Sequence, residues 1–213
     1  MFSNLRYLLT CGSLASALMR ARLGAVALGL ALSLVAGCSR ETPYHLQSIK
    51  GLMPRLEFQL TDDEGRAVSA ERYRGSLVLL YFGYTHCPDV CPTTLAGLGN
   101  ALGRLGAEAS KVKVLFVTVD PARDTAPVLK RYMSYFGPQF IGLRGDDEAL
   151  RPLIRRYRVA YHRDPPDQNG NYAVEHSSIV FVFDAQGRAR LLARDSDTPD
   201  AVAQDLHRLL QGS

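Results

Sequence analysis

The sequence predicts an α/β fold in which helices flank a central, mostly parallel sheet that includes an antiparallel hairpin. Two long apolar runs, at 76–84 and 111–120, have the continuity of strands buried on both faces. Segments with helical spacing follow both runs, and two further apolar runs at 177–195 surround a glycine-containing turn. Helices that alternate with buried strands imply parallel neighbours, because each helix carries the chain back to the end of the sheet where the next strand begins.

Each predicted strand has its own signature. The segment "LEFQL", at 56–60, alternates apolar and polar residues and is followed by the turn sequence "TDDEG". The runs "SLVLLYFGY" (76–84) and "KVKVLFVTVD" (111–120) are rich in β-branched and aromatic residues. The segment "SSIVFVFDAQGRARLLARD", at 177–195, consists of two strand-like runs joined by a tight turn, which predicts a hairpin.

Helices are predicted in four segments, at 93–106, 124–137, 146–159 and 198–211. The first has leucines at intervals of three and four residues, and the second carries an apolar stripe with the same spacing. The last opens with Thr-Pro, a frequent helix start, since the missing N–H of proline costs nothing in the first turn. In this order the elements give the plan of a thioredoxin-like fold, in which a cysteine motif lies between the first core strand and its helix.

The first 38 residues are predicted to be an export signal with a lipid attachment site. Arg20 and Arg22 precede the apolar run "LGAVALGLALSLVAG", which ends at Cys38, and this is the order of a secretory signal. The ending "VAGC" resembles the bacterial lipobox, in which the chain is cut before the cysteine and the cysteine is lipidated. An uncleaved anchor is the alternative, but the run is shorter than the roughly 20 residues that span a bilayer. A compact signal of the same kind begins at Met19, which favours that methionine as the true start.

Composition and charge limit what the rest of the chain can be. Residues 39–54 are polar without a clear period and are predicted to be a tether, and residues 55–213 form the folded domain. The formal net charge is +4, and residues 1–38 hold three arginines and no acidic residue or lysine, which leaves +1 on the exported part. This near neutrality gives no reason to expect nucleic acid as a partner. Export also places the domain's two cysteines in a compartment where disulfides persist.

Those two cysteines are four residues apart in "THCPDVCP". Pro92 marks a helix start, so Cys91 is predicted at or near the N-cap and Cys87 in the preceding loop. The positive end of the helix is expected to favour thiolate and to lower the cysteine pKa. Four helical residues separate Cα atoms by roughly 6 Å, which permits a disulfide and equally lets two thiolates share one soft metal ion. A structural disulfide would stabilise little by closing so short a loop, whereas a redox pair and a metal site both fit.

A metal site would need a further ligand, for which histidine is a natural candidate. His176 stands in "YAVEHSSIVFVFD", just before an apolar strand, where it is either a metal ligand or a structural residue bonded to the backbone. His86 adjoins Cys87, but neighbouring residues rarely point at one atom. The other histidines of the exported part lie in the tether, in a loop and on the outer face of the last helix: His45, His162 and His207.

Three segments resemble, in order and spacing, the Sco/SenC family of copper-binding thioredoxin-like proteins: "YFGYTHCPDVCPTTL", "VTVDPARDTAPVLKRYMSYFG" and "YAVEHSSIVFVFDAQGR". The resemblance extends over roughly residues 50–211. It implies that copper, as Cu(I) or Cu(II), is bound by Cys87, Cys91 and His176, and that the two cysteines also form a redox disulfide. One departure is Glu175, where family members often carry aspartate before the histidine.

The resemblance also implies a function and a location. Family members deliver copper to the dinuclear copper centre of cytochrome c oxidase or prepare its cysteines, so we expect a metallochaperone without catalytic turnover. The alternative is a membrane-tethered thiol–disulfide oxidoreductase that reduces the acceptor's cysteines. The expected partners are the oxidase's copper subunit and another periplasmic copper carrier, with the chain lipid-anchored in the cell membrane and facing the periplasm. Three polar residues of "DPARDT", namely Asp120, Arg123 and Asp124, have no assigned chemistry. The sequence predicts an ion pair there and a helix cap at Asp124 or Thr125.

Overall fold

The computed structural model describes residues 43–165, 168, 172, 174–176 and 178–212, with the backbone alone for residues 163 and 174–176. Tyr44–Ser213 is one compact unit. The predicted signal, the lipidation site Cys38 and the first tether residues, 39–42, lie outside the described residues. Across the described ranges, no helix combines the length and the apolar character that crossing a bilayer requires.

Ten strands and four α-helices are assigned within the described residues. The strands are β1 (Gln47–Ser48), β2 (Gln59–Asp62), β3 (Ala67–Ser69), β4 (Leu77–Gly83), β5 (Val112–Thr118), β6 (Phe140–Arg144), β7 (Tyr161–Arg163), β8 (Val174–His176), β9 (Val180–Phe183) and β10 (Ala189–Ala193). The helices are α1 (Val90–Leu105), α2 (Ala126–Ser134), α3 (Asp147–Arg156) and α4 (Pro199–Leu210). Two short 3-10 helices lie at Ala70–Tyr73 and Gly106–Lys111.

Eight of these strands form one mixed sheet in the order β1-β10-β9-β4-β5-β6-β2-β3. The predicted α/β, thioredoxin-like class is confirmed, and β9 and β10 form the predicted hairpin. The pairs β4–β5 and β5–β6 are parallel, and the other neighbours in the sheet are antiparallel. Parallel pairing extends less far than the sequence predicts, because the short antiparallel strands β1, β2 and β3 extend the edges of the sheet. Of these, the sequence predicts only a strand at 56–60, which overlaps β2 at Gln59 and Leu60. A separate two-stranded ribbon is formed by β7 and β8.

Helices cover both faces of the sheet. Along β4, Leu77, Leu79 and Tyr81 belong to the core that α1, α2 and α4 share with the sheet. The residues between them belong to the core on the opposite face, beneath α3. All seven residues of β4 are buried, as its uninterrupted apolar run predicts. Packing against both cores therefore fixes the position of the carboxyl end of β4 and of the cysteine loop that follows it.

The N-terminal edge of the domain differs from the sequence prediction. A tether is predicted over residues 39–54, but from Tyr44 onward the chain lies against the domain. Strand β1 pairs with β10, and Leu46 and Ile49 are buried. The Leu46 N–H donates to the Asp205 carboxylate of α4 at 2.7 Å. Two isolated apolar residues in a polar stretch give no periodic signal, so the sequence did not reveal this docking.

Candidate metal centre

Cys87 and Cys91 lie where the first core strand is followed by the first helix, as the sequence predicts. Strand β4 ends at Gly83, a loop follows over 84–89, and α1 begins at Val90. The parallel strands β4 and β5 run side by side, so their carboxyl ends meet at one edge of the sheet. That edge is where ligand sites of open α/β sheets are generally found.

The start of α1 brings the two cysteines together. Asp89 is the N-cap of α1, Cys91 is the second helical residue and Pro92 the third, so the helix starts slightly earlier than predicted. Both cysteines are present as thiols. The Cys91 N–H donates to the Cys87 sulfur at 3.4 Å, so an N–H of the positive helix end points at this sulfur.

Gly83 allows the Cys91 sulfur to pack against the end of β4. A Cβ atom on residue 83 would lie 2.9 Å from the Cys91 Sγ and 2.6 Å from the Phe116 Cε2. Both distances are well inside van der Waals contact, for which carbon atoms stand about 3.5–4.0 Å apart. The glycine that ends the apolar run is therefore needed for the close approach of this sulfur.

Cys91 is fully buried, and burial raises the pKa of its thiol to about 12. The neighbouring Cys87 sulfur also raises this pKa, while hydrogen bonds with the Tyr84 backbone and the Tyr81 hydroxyl act against the rise. The sequence expectation of a lowered pKa is wrong for Cys91. The free energy that a thiolate loses on leaving water exceeds the stabilisation that the positive end of the helix provides. Binding a metal or forming a disulfide must therefore displace a proton from Cys91.

Cys87 is the more accessible member of the pair. Its side chain is partly buried and packs at the border of the two cores, and its N–H donates to the Tyr84 carbonyl at 3.2 Å. An incoming ion or a partner's disulfide therefore meets Cys87 before it meets Cys91.

A buried carboxylate, to which the sequence assigned no chemistry, holds the cysteine loop. Asp124 accepts hydrogen bonds from the Thr85 N–H at 3.0 Å, the Thr85 hydroxyl at 2.6 Å and the Thr118 hydroxyl at 2.6 Å. Thr125, rather than Asp124, is the N-cap residue of α2. Because Thr85 precedes Cys87 by two residues, Asp124 fixes the loop that presents the accessible thiol. The order of the strands was the one sequence signal for this contact, because polar residues that follow neighbouring parallel strands meet at one edge of the sheet.

His86 faces the same carboxylate. Its Nδ1 lies 3.2 Å from the Thr85 Oγ1 and 3.8 Å from the Asp124 Oδ1, and 53% of its side chain is exposed. Among the described residues, the polar contacts of His86 are thus with the support of the loop. This position does not add a third ligand to the two sulfurs.

The third predicted ligand, His176, is described only in its backbone. It belongs to β8, where it pairs with Tyr161 of β7. Its side chain lies outside the described part of the chain, as does that of Glu175. Among the described side chains, no three histidine, cysteine or acidic residues are grouped so that they could hold a metal ion. The described part of the site therefore provides two sulfur ligands, and the role of His176 stays a prediction.

Comparisons with known proteins agree with the fold and with the family that the sequence resembles. The sequence model of the SCO1/SenC family matches residues 51–211. A SCO2-like protein of Rickettsia felis is 37% identical over 133 residues, which are 62% of this chain and 65% of that protein. The chain spans about half to two thirds of the length of its curated relatives.

Two solved structures have the same fold as this domain. ScoI of Bradyrhizobium japonicum with copper bound is 39% identical, with a TM-score of 0.67 over 73% of this chain and 98% of that chain. The apo Sco1 protein of Thermus thermophilus, solved in solution, is 36% identical, with a TM-score of 0.70 over 79% and 99% of the two chains. With a family match over most of its length, this chain belongs to the SCO1/SenC family.

Proposed function

We propose that this protein is a metallochaperone that carries copper on Cys87, Cys91 and His176 and supplies it to the dinuclear copper centre of cytochrome c oxidase. The observation that carries the proposal is the meeting of two thiols at one helix start, where the Cys91 N–H lies 3.4 Å from the Cys87 sulfur. The copper bound to the similar ScoI of Bradyrhizobium japonicum supports copper as the cargo. Family membership and the sequence resemblance support the oxidase as the acceptor.

The described ligands suit Cu(I), because thiolates are soft ligands and Cu(I) prefers them. Burial disfavours a negative charge on Cys91, and a cation bound between the sulfurs offsets that charge. Binding therefore releases a proton from Cys91, and the affinity for Cu(I) is expected to rise with pH. An imidazole from His176 would add a third ligand and support Cu(II).

Oxidation of the cysteine pair would empty the site. Two thiols that become one disulfide give up two electrons and two protons, and an accepting disulfide that takes them becomes a dithiol. The bond removes both thiolate ligands, and the close approach of the two residues favours it, since the Cys91 nitrogen lies 3.4 Å from the Cys87 sulfur. The redox state of Cys87 and Cys91 would in this way control the release of copper.

The proposed location is the periplasmic face of the cell membrane, with a lipid on Cys38. Support comes from the apolar run that ends in "VAGC". Mass spectrometry of the mature N-terminus is expected to find a lipidated Cys38 as the first residue. A mature protein that still carries residues before Cys38 would contradict the anchor.

Copper titration of the full-length reduced protein tests the proposal. Wild type is expected to bind Cu(I) and Cu(II), Cys87→Ser to lose affinity for both, and His176→Ala to lose affinity mainly for Cu(II). His207→Ala is the matched control, because this exposed imidazole pairs with Glu108 at 2.6 Å, at the opposite end of α1 from the cysteines. Equal copper binding by wild type and Cys87→Ser would refute the chaperone function.

A second function, reduction of the acceptor's cysteines, is favoured by the accessibility of Cys87 beside the buried Cys91. An accessible thiol at Cys87 can attack a partner's disulfide, and the buried Cys91 can then resolve the mixed disulfide. The products are a Cys87–Cys91 disulfide and a reduced partner. Rapid reduction of a protein disulfide by the copper-free protein, abolished in Cys87→Ser, would favour this function over copper delivery.

A further inference from the structure

Two fully buried carboxylates follow β5, and they hold different parts of the chain. Asp124 bonds Thr85 in the cysteine loop. Asp120, four residues earlier, is equally buried and turns to another segment. Its Oδ1 accepts a hydrogen bond of 2.6 Å from the Tyr172 hydroxyl, and its Oδ2 accepts one from the Arg123 Nε.

Tyr172 is held at both its hydroxyl and its ring. The guanidinium carbon of Arg123 lies 3.7 Å from the centre of the Tyr172 ring, which is within cation–π distance. The ion pair beneath the ring is poorly screened by solvent, because Asp120 is 0% exposed and the Arg123 side chain 23% exposed. We call Asp120, Arg123 and Tyr172 the tyrosine clamp.

The clamp lies close in sequence to the predicted third ligand. Tyr172 precedes His176 by four residues, and four residues of extended chain span at most about 14 Å. On its other side β8 is paired with β7, where His176 stands opposite Tyr161. The ribbon therefore holds the backbone of His176 directly, and the clamp holds the chain four residues before it.

We propose that the tyrosine clamp positions His176 for copper, an inference that rests on the proposed three-ligand site. Asp124 holds the cysteine loop, Asp120 holds Tyr172 ahead of the strand that carries the histidine, and both belong to residues 119–124 after β5. In this proposal these residues relate the loop of the sulfur ligands to the segment that leads to His176. The clamp residues do not contact the metal in this proposal, so they are positioning residues.

Loss of a residue that orients a metal ligand typically lowers metal affinity about 10- to 100-fold. Tyr172→Phe keeps the ring over Arg123 and removes the hydroxyl that bonds Asp120. We expect the affinity for Cu(II), which the imidazole supports, to fall about 10- to 100-fold. The affinity for Cu(I), which two thiolates hold, is expected to change less than about threefold.

The experiment uses full-length protein purified in detergent. Cu(II) titrations are followed by the visible sulfur-to-copper absorption and by the nitrogen coupling in the electron paramagnetic resonance spectrum. Cu(I) affinity is measured by competition with a chelator. Tyr135→Phe is the matched control, since this tyrosine follows α2 and is 76% exposed. The double variant Tyr172→Phe/His176→Ala is expected to bind Cu(II) no more weakly than His176→Ala alone, because the clamp acts through the histidine.

A copper-free measurement separates positioning from general destabilisation. In Tyr172→Phe, backbone amides of β8 are expected to exchange hydrogen faster than in wild type, with no change in the core strands β4 and β5. A fall of Cu(I) and Cu(II) affinity by equal factors would overturn the proposal, as would unchanged Cu(II) binding or a further loss in the His176→Ala background. Wild-type Cu(II) binding by His176→Ala would instead contradict the ligand set. In that case faster exchange in β8 would leave the clamp as a purely structural contact, without a role at copper.

Discussion

Gly83→Ala tests how closely the buried sulfur of the site depends on the end of β4. The added methyl group would lie 2.9 Å from the Cys91 Sγ and 2.6 Å from the Phe116 Cε2. Cys91 and Phe116 are both fully buried, so neither can turn into solvent to relieve the contact. Overpacking of this kind costs about 1–3 kcal/mol, and two close contacts place the expected loss near 2 kcal/mol.

Thermal unfolding of the copper-free protein measures this loss. For a chain of this size each 1 kcal/mol lowers the midpoint by about 2–4 °C, so a fall of about 4–8 °C is expected. Displacement of the sulfur should also weaken Cu(I) binding about tenfold or more. Gly97→Ala is the matched control, because a Cβ there has open space within α1 and alanine favours a helix by about 1 kcal/mol over glycine. If Gly83→Ala were as stable as Gly97→Ala, the packing argument would be wrong.

Two further predictions concern buried groups beside the site. Asp124→Asn leaves one acceptor oxygen for the three donors on Thr85 and Thr118. The free energy of unfolding in urea should therefore fall by about 1–3 kcal/mol. An unfolding midpoint equal to that of wild type would contradict the role of Asp124 in holding the cysteine loop. The pKa of Cys91 is raised to about 12, so the unfolded thiol, with a pKa of about 8.5, loses its proton first as pH rises. Stability should therefore be full below about pH 8.5 and decline towards pH 12 by at most about 1.4 kcal/mol per pH unit. Unfolding at pH 8 and pH 10 should show a smaller decline in Cys91→Ser, and equal declines would refute the buried thiol as its source.

The long elements of the fold were predictable because local pattern determines them. Strands β4, β5 and β9 are predominantly apolar runs, β10 follows a glycine-containing turn, and the four helices have apolar residues at helical spacing. Strand β6, Phe140–Arg144, escaped prediction because its sequence "FIGLR" is short and interrupted by glycine. The ribbon β7–β8 has strands of three residues each, too short for a periodic signal. Pairing with distant strands, rather than local propensity, makes these segments extended.

The site was predictable only where its residues are close in sequence. Spacing and the proline predicted that Cys87 and Cys91 meet at a helix start, and the structure places them together there. The contact between Asp124 and Thr85 joins residues 39 positions apart, and the contact between Asp120 and Tyr172 joins residues 52 apart. Neither contact can be predicted from the spacing of residues that are close in sequence. The direction of the Cys91 pKa shift was also hidden, because it depends on burial that the packed domain creates.

The central claim is that two sulfurs and one imidazole hold the copper. X-ray absorption at the copper edge of the full-length protein loaded with Cu(II) measures the ligand atoms directly. The account predicts two sulfur neighbours and one nitrogen in wild type, one sulfur fewer in Cys87→Ser, and loss of the nitrogen in His176→Ala. An unchanged sulfur count in Cys87→Ser, or a nitrogen that persists in His176→Ala, would contradict it.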